Sequence, residues 1–172
     1  MALVWMAFQS PDRTRNQLTT NLVAIAHNFG CRAALSMLSR LGAPWSASAL
    51  FLISGFNESV PMLPELDDVL DSDLDKDRII RGFDQRVSVF ATGDTILPAR
   101  CSRRLAEQPD TAICEVPEST YCLASEGYHR FPVLLSLIAD VLVGVPYEWN
   151  QVDILRGGTK TESFLGRWHL PF

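Results

Sequence analysis

The sequence is poor in the residues that build metal centres and in the patterns that cross membranes. It holds three histidines and four cysteines in 172 residues. Cys31, Cys101, Cys114 and Cys122 form no closely spaced pair. His27, His129 and His169 complete no ligand set at zinc spacing. No metal and no cofactor are therefore expected. The plain reading of the cysteines is buried thiols in a reducing compartment, which points to the cytoplasm. No apolar run reaches the ~18 residues of a membrane helix. The longest, Phe131 to Val145, is broken by Asp140 and ends at Gly144 and Pro146. The opening stretch, Met1 to Phe8, is apolar but short. It has no basic start and no small-residue cleavage site, so it is not read as a signal peptide. Positive charge is scarce too: 15 Lys and Arg face 20 Asp and Glu, a net charge of −5. That balance argues against nucleic acid and anionic membrane surfaces as partners.

What remains is the composition of a globular domain, 47% hydrophobic and 20% charged, at a length that favours one domain. Four short apolar runs stand out: Leu22 to Ala26, Ala49 to Ser54, Val87 to Ala91 and Thr111 to Val116. Continuous rather than alternating runs suit parallel strands covered on both faces. Helical stretches lie between and after them. Gly30 to Leu41 sets Ala33, Ala34, Met37, Leu38 and Leu41 at helical spacing, and Gly42-Ala43-Pro44 stops it. Asp75 to Phe83 offers Ile79 and Ile80. Ala99 to Glu107 follows Pro98, and Phe131 to Val143 should pack hard against a sheet. This alternation predicts an α/β fold: about four parallel strands joined by right-handed crossovers, in a three-layer α/β/α sandwich. The acidic, proline-punctuated stretch Asn57 to Asp77 reads as a solvated loop or as a cap over a pocket. The tail, 145–172, has no clean period and stays unassigned, so the domain is drawn over residues 1–144.

Sheets of this kind gather their chemistry at the carboxyl ends of the strands. Three such ends carry suggestive residues. Ala26-His27-Asn28-Phe29-Gly30 joins a strand directly to a helix. It has the layout of a nucleophile elbow, with asparagine where serine would stand. Asparagine tolerates the positive φ that an elbow demands. It also caps helices well, so an ordinary capped turn fits the same residues. Asp94, in Gly93-Asp94-Thr95-Ile96-Leu97-Pro98, suits the acid that orients a histidine, or a turn cap. Val116-Pro117-Glu118-Ser119-Thr120-Tyr121 follows the last strand, where a base belongs in the order nucleophile, acid, base.

Taken together, these stretches resemble the small serine hydrolases of the retinoblastoma-binding-protein-nine type. The resemblance covers about 120 residues. It rests on Ala26-His-Asn-Phe-Gly-Cys31, on Ile53-Ser-Gly-Phe56 with Leu63-Pro-Glu-Leu-Asp67, on Asp94-Thr-Ile-Leu-Pro98 with Ser102-Arg-Arg-Leu-Ala106, and on Glu126-Gly-Tyr128. It implies a partial α/β-hydrolase fold and serine-esterase ancestry. By that resemblance the family's serine falls on Asn28, its acid on Asp94 and its histidine on Tyr121, and Phe29 N–H remains as an oxyanion donor. A carboxamide is no acyl acceptor, and a phenol near pKa 10 is a poor base at neutral pH.

The expectation is a catalytically impaired protein that binds a small ester or peptide ligand, or a protein partner. Two rivals stand beside it. One is an active hydrolase rebuilt around His129, with deamidation of Asn28 as one source of a new nucleophile. The other is a non-functional fragment of a longer hydrolase. The resemblance also leaves the strand Leu22 to Ala26 without a neighbour on one side. The first 20 residues, the tail or another copy of the chain would have to cover that edge.

Overall fold

The computed structural model describes residues 3–7, 22–42, 45–61, 64–70, 73–116 and 132–143. Five strands form one sheet in the order in which they occur in the chain. They are β1 (Leu3–Ala7), β2 (Val23–His27), β3 (Ala47–Ile53), β4 (Phe83–Ala91) and β5 (Ala112–Val116). β2 to β5 run parallel, as expected. β1 is one of the three covers the sequence left open for the edge of β2, though not a strand read from its own pattern. It pairs antiparallel with β2, Leu3 opposite His27 and Ala7 opposite Val23. The edge of β2 that the sequence left open is therefore taken by residues near the start of the chain.

Alternation along the strands explains why the apolar runs are continuous. Ala24, Ala26, Leu50 and Leu52 point to one face. There they meet Ala34, Leu35 and Leu38 of α1 (Phe29–Arg40), Ile79 of α3 (Lys76–Gly82) and Leu105 of α4 (Ala99–Glu107). Val23, Ala49, Phe51, Val87 and Val89 point to the other face. That face is covered by Leu134, Leu137 and Ile138 of α5 (Pro132–Val143). Helices thus lie on both sides of the sheet, the three layers the pattern predicted.

Three expectations are corrected. The buried face of α1 is Cys31, Arg32, Ala34, Leu35 and Leu38, while Ala33 and Met37 are exposed. Phe83 does not close a helix. It opens β4, buried edge-on against Trp45 with ring centroids 5.1 Å apart. The stretch Asn57 to Asp77 is not merely a solvated loop. It carries a 3-10 turn at Pro64–Leu66 and the short helix α2 (Asp67–Leu70). Leu66 and Leu70 pack against buried Phe56, Val60, Leu97 and Cys101, beside Phe29 and Ile96. Its aspartates could not announce this, because two leucines supply the anchoring.

Buried Arg32 fixes this segment to α1: its guanidinium donates to the Leu70 carbonyl at 3.3 Å. Burial first, and then the charge of Arg40, lower its proton affinity below that of an ordinary arginine, while Asp73 acts the other way.

Candidate active site

Parallel strands bring their carboxyl ends to one edge of the sheet. His27 lies opposite Ile53, Ile53 opposite Val89, and Ala91 opposite Val116. The residues that follow each strand are therefore neighbours. The ladder even continues one step beyond the strands: Asn28 N–H donates to Ile53 O at 2.8 Å, Ser54 N–H to Val89 O at 2.8 Å, and Thr92 N–H to Val116 O at 3.1 Å.

Asn28 has φ 56° and ψ −131° and is the N-cap of α1. A non-glycine residue in this region is strained, and strain of order 1–3 kcal/mol persists only where the surroundings impose it. Here they do. Asn28 N–H is held by β3, and Asn28 O accepts from Cys31 N–H at 3.0 Å. The sharp turn and the immediate helix are those of a nucleophile elbow. Its side chain does something a serine would not. The carboxamide oxygen accepts from Phe29 N–H at 2.6 Å, so the chain's own acceptor sits on the amide that would face an acyl oxyanion. Phe29 itself packs beside Phe56, ring centroids 6.4 Å apart, under the segment anchored by Leu66 and Leu70.

Asp94 follows β4. Its Oδ1 accepts from Ile96 N–H and Leu97 N–H, each at 2.8 Å. This is the turn-capping role the sequence left open. A histidine oriented by Asp94 would have to use the other carboxylate oxygen. Tyr121 and His129 lie outside the described residues. Among the described residues no group of histidine, cysteine and carboxylate side chains is arranged to hold a metal ion. Nor is any helix among them long and apolar enough to cross a membrane.

Sequence reasoning passed over Ser54. It follows β3, beside Asn28, with φ 44°. Its side chain is buried, and its hydroxyl has no hydrogen-bond partner among the described residues. The signal was the Ser54-Gly55 pair, an ordinary turn marker. Gly55 is required there: a Cβ would come within 2.5 Å of Leu105 Cδ2 and 2.7 Å of the Cys31 side chain. Its carbonyl accepts from Ser102 Oγ at 2.9 Å. On the rim, Arg104 pairs with Glu58. Burial works to raise the Glu58 carboxyl, but hydrogen bonds from the Cys101 thiol and Arg104, with the charges of Arg104 and Arg100, carry it below the usual range.

The cysteines near this edge are not nucleophiles. Burial pushes Cys31 up to about 12, and its thiol reaches the Ala26 and Ile53 carbonyls at 3.3 and 3.6 Å. Burial, then Glu58, raises Cys101 to about 11, and burial raises Cys114 to about 11. Thiolates do the alkylating chemistry. In the native protein at neutral pH, iodoacetamide should therefore leave these three cysteines unlabelled. In urea it should label all three. Peptide mass spectrometry reads both states, and rapid native labelling of Cys31 would contradict the packing described.

A sheet of four parallel strands with the antiparallel edge strand β1, covered by helices on both faces and turning sharply from β2 into α1, is an α/β fold like that of the α/β-hydrolase class. The chain belongs to the serine hydrolase family, whose model matches residues 5–140. It is 31% identical over 124 residues to the Bacillus subtilis protein named "Putative hydrolase YdeN", a match covering 72% of this chain and 65% of that one. The crystal structure of the ydeN gene product from B. subtilis superposes with a TM-score of 0.67 at 30% identity, over 70% of this chain and 65% of that chain. The chain thus spans about two thirds of the length of the relative it matches.

Proposed function

We propose that this chain is a catalytically impaired serine hydrolase, of the retinoblastoma-binding-protein-nine type, that works as a binding protein in the cytoplasm. The observation that carries this reading is Asn28: an elbow retained in backbone, without a hydroxyl, whose carboxamide oxygen sits on Phe29 N–H. Tyr121 at the base position adds to it, since a phenol stays protonated at neutral pH. Members of a catalytic triad act as a unit, and loss of the nucleophile or the base alone costs about as much as loss of all three, of order 10⁶ in rate. The ligand class that fits the ancestry is a small ester or a short peptide, received at the strand ends beside Asp94 and under the 57–77 segment.

The test is turnover of a short-chain p-nitrophenyl ester by the monodisperse chain at neutral pH, beside His129→Ala. No rate above buffer from folded protein is expected in either. A rate that vanishes in His129→Ala would overturn the reading in favour of a rebuilt active site. A chain that aggregates and melts without cooperativity would overturn it in favour of an inert fragment.

A further inference from the structure

The backbone of Asn28 has a second chemical meaning, independent of whether the elbow turns over an ester. In an L-residue, Cβ lies about 120° around the Cα–C bond from the residue's own nitrogen. A ψ near −120° therefore eclipses Cβ with the nitrogen of the next residue. Asn28 has ψ −131°, so its Cβ lies close to that eclipsed position. Its carboxamide is turned the same way, with Oδ1 2.6 Å from Phe29 N. Asn28 Cα, C, Cβ and Cγ and Phe29 N are the five ring atoms of a cyclic imide. The fold already sets the torsion that an unfolded chain must search for.

The attacking atom is also uncommitted to the helix. Phe29 is the first residue of α1, and the first N–H groups of a helix have no acceptor one turn back. Closing the ring breaks no helical hydrogen bond. The positive end of the helix dipole favours negative charge on that nitrogen as its proton leaves. Asn57 provides the contrast: its amide nitrogen is engaged by Gln108 Oε1 at 3.0 Å, and its φ is not positive.

We infer that Asn28 is a site of spontaneous deamidation driven by the fold. Phe29 N gives its proton to a solvent base and attacks Asn28 Cγ. The Cγ–Nδ2 bond breaks, and ammonia leaves after taking up a proton. Water then adds to either imide carbonyl and reopens the ring, giving aspartate or isoaspartate at position 28. One water is consumed, one ammonia is released and nothing is oxidised. The two products differ in consequence. Aspartate keeps the cap and adds a negative charge at the start of α1, where the dipole favours it. Isoaspartate adds an atom to the main chain between β2 and α1. It cannot keep both the Asn28 N–H to Ile53 O bond and the Cys31 N–H to Asn28 O bond without moving the helix.

The experiment ages the full chain at mildly alkaline pH, folded in buffer and unfolded in urea, with circular dichroism confirming each state at every time point. Trypsin then releases a peptide that begins after Arg15 and ends at Arg32. It contains Asn16, Asn21 and Asn28, and fragmentation assigns the converted residue and its isomer. Holding reacting atoms in near-attack geometry accelerates ring closure, so Asn28 should convert at least about tenfold faster folded than unfolded. In the folded chain it should also outpace Asn57. Equal or slower conversion in the folded state, or Asn57 converting ahead of Asn28, would overturn the inference.

Discussion

Phe51→Ala should lower stability by about 3–5 kcal/mol, as deletion of a fully buried aromatic does when the site cannot collapse. Phe51 is at 0% exposure in the middle of β3. Parallel neighbours flank it on both sides, with Ile25 of β2 and Val87 of β4 as its register partners. The surrounding strands are held by their ladders and cannot close over the void. On that face Phe51 shares a cluster with Val23, Val89 and Leu137, so the cavity would open directly beneath α5. A domain with a total stability of about 5–15 kcal/mol loses a large part of it. Urea unfolding should show a midpoint shifted far down with the slope nearly unchanged. A loss below about 1 kcal/mol would mean that Phe51 is not packed as described.

Arg32→Ala should cost about 2–4 kcal/mol, combining a charge-assisted hydrogen bond with lost packing of the stem. The larger effect should be local. Without the guanidinium, the Leu70 carbonyl at the end of α2 loses the donor that ties it to α1. The 57–75 segment should then be cut by protease well before the sheet unfolds. Arg32→Met separates the two contributions. It keeps most of the apolar stem but supplies no donor, so it should regain stability relative to alanine while the segment stays sensitive. Equal protease resistance in Arg32→Ala and the unaltered chain would show that Leu66 and Leu70 hold the segment unaided.

The parallel sheet was legible because burial on both faces removes alternation from the sequence, and four apolar runs with helices between them allow few arrangements. α4 was read to the residue, since Pro98 fixes its start. The face of α1 was not. Ala33, Ala34, Met37, Leu38 and Leu41 form an apolar stripe at helical spacing, yet Cys31, Ala34, Leu35 and Leu38 form another one position away. Periodicity cannot choose between overlapping stripes. The close approach at Gly55 does, because only the absence of a side chain at 55 leaves room for Cys31 of α1 against the end of β3. β1 entered only as one of three covers for the open edge of β2, because a five-residue strand at a sheet edge has too little pattern to announce itself. At the candidate site the elbow was visible as a motif. The use Asn28 makes of its side chain was not, since a cap and a nucleophile position differ in sequence by nothing but context. Ser54 was hidden for a related reason: its positive φ comes from the neighbouring strands, not from its own preference.

The strand order has a kinetic meaning. In the described sheet every strand lies beside the one that precedes it in the chain. A ribosome extruding this chain would release each strand onto an edge that already exists, and no early strand would wait for a late one to complete its ladder. Parallel pairing usually makes folding slow, because the chain must first close long loops. Growth in a single direction limits each closure to one crossover.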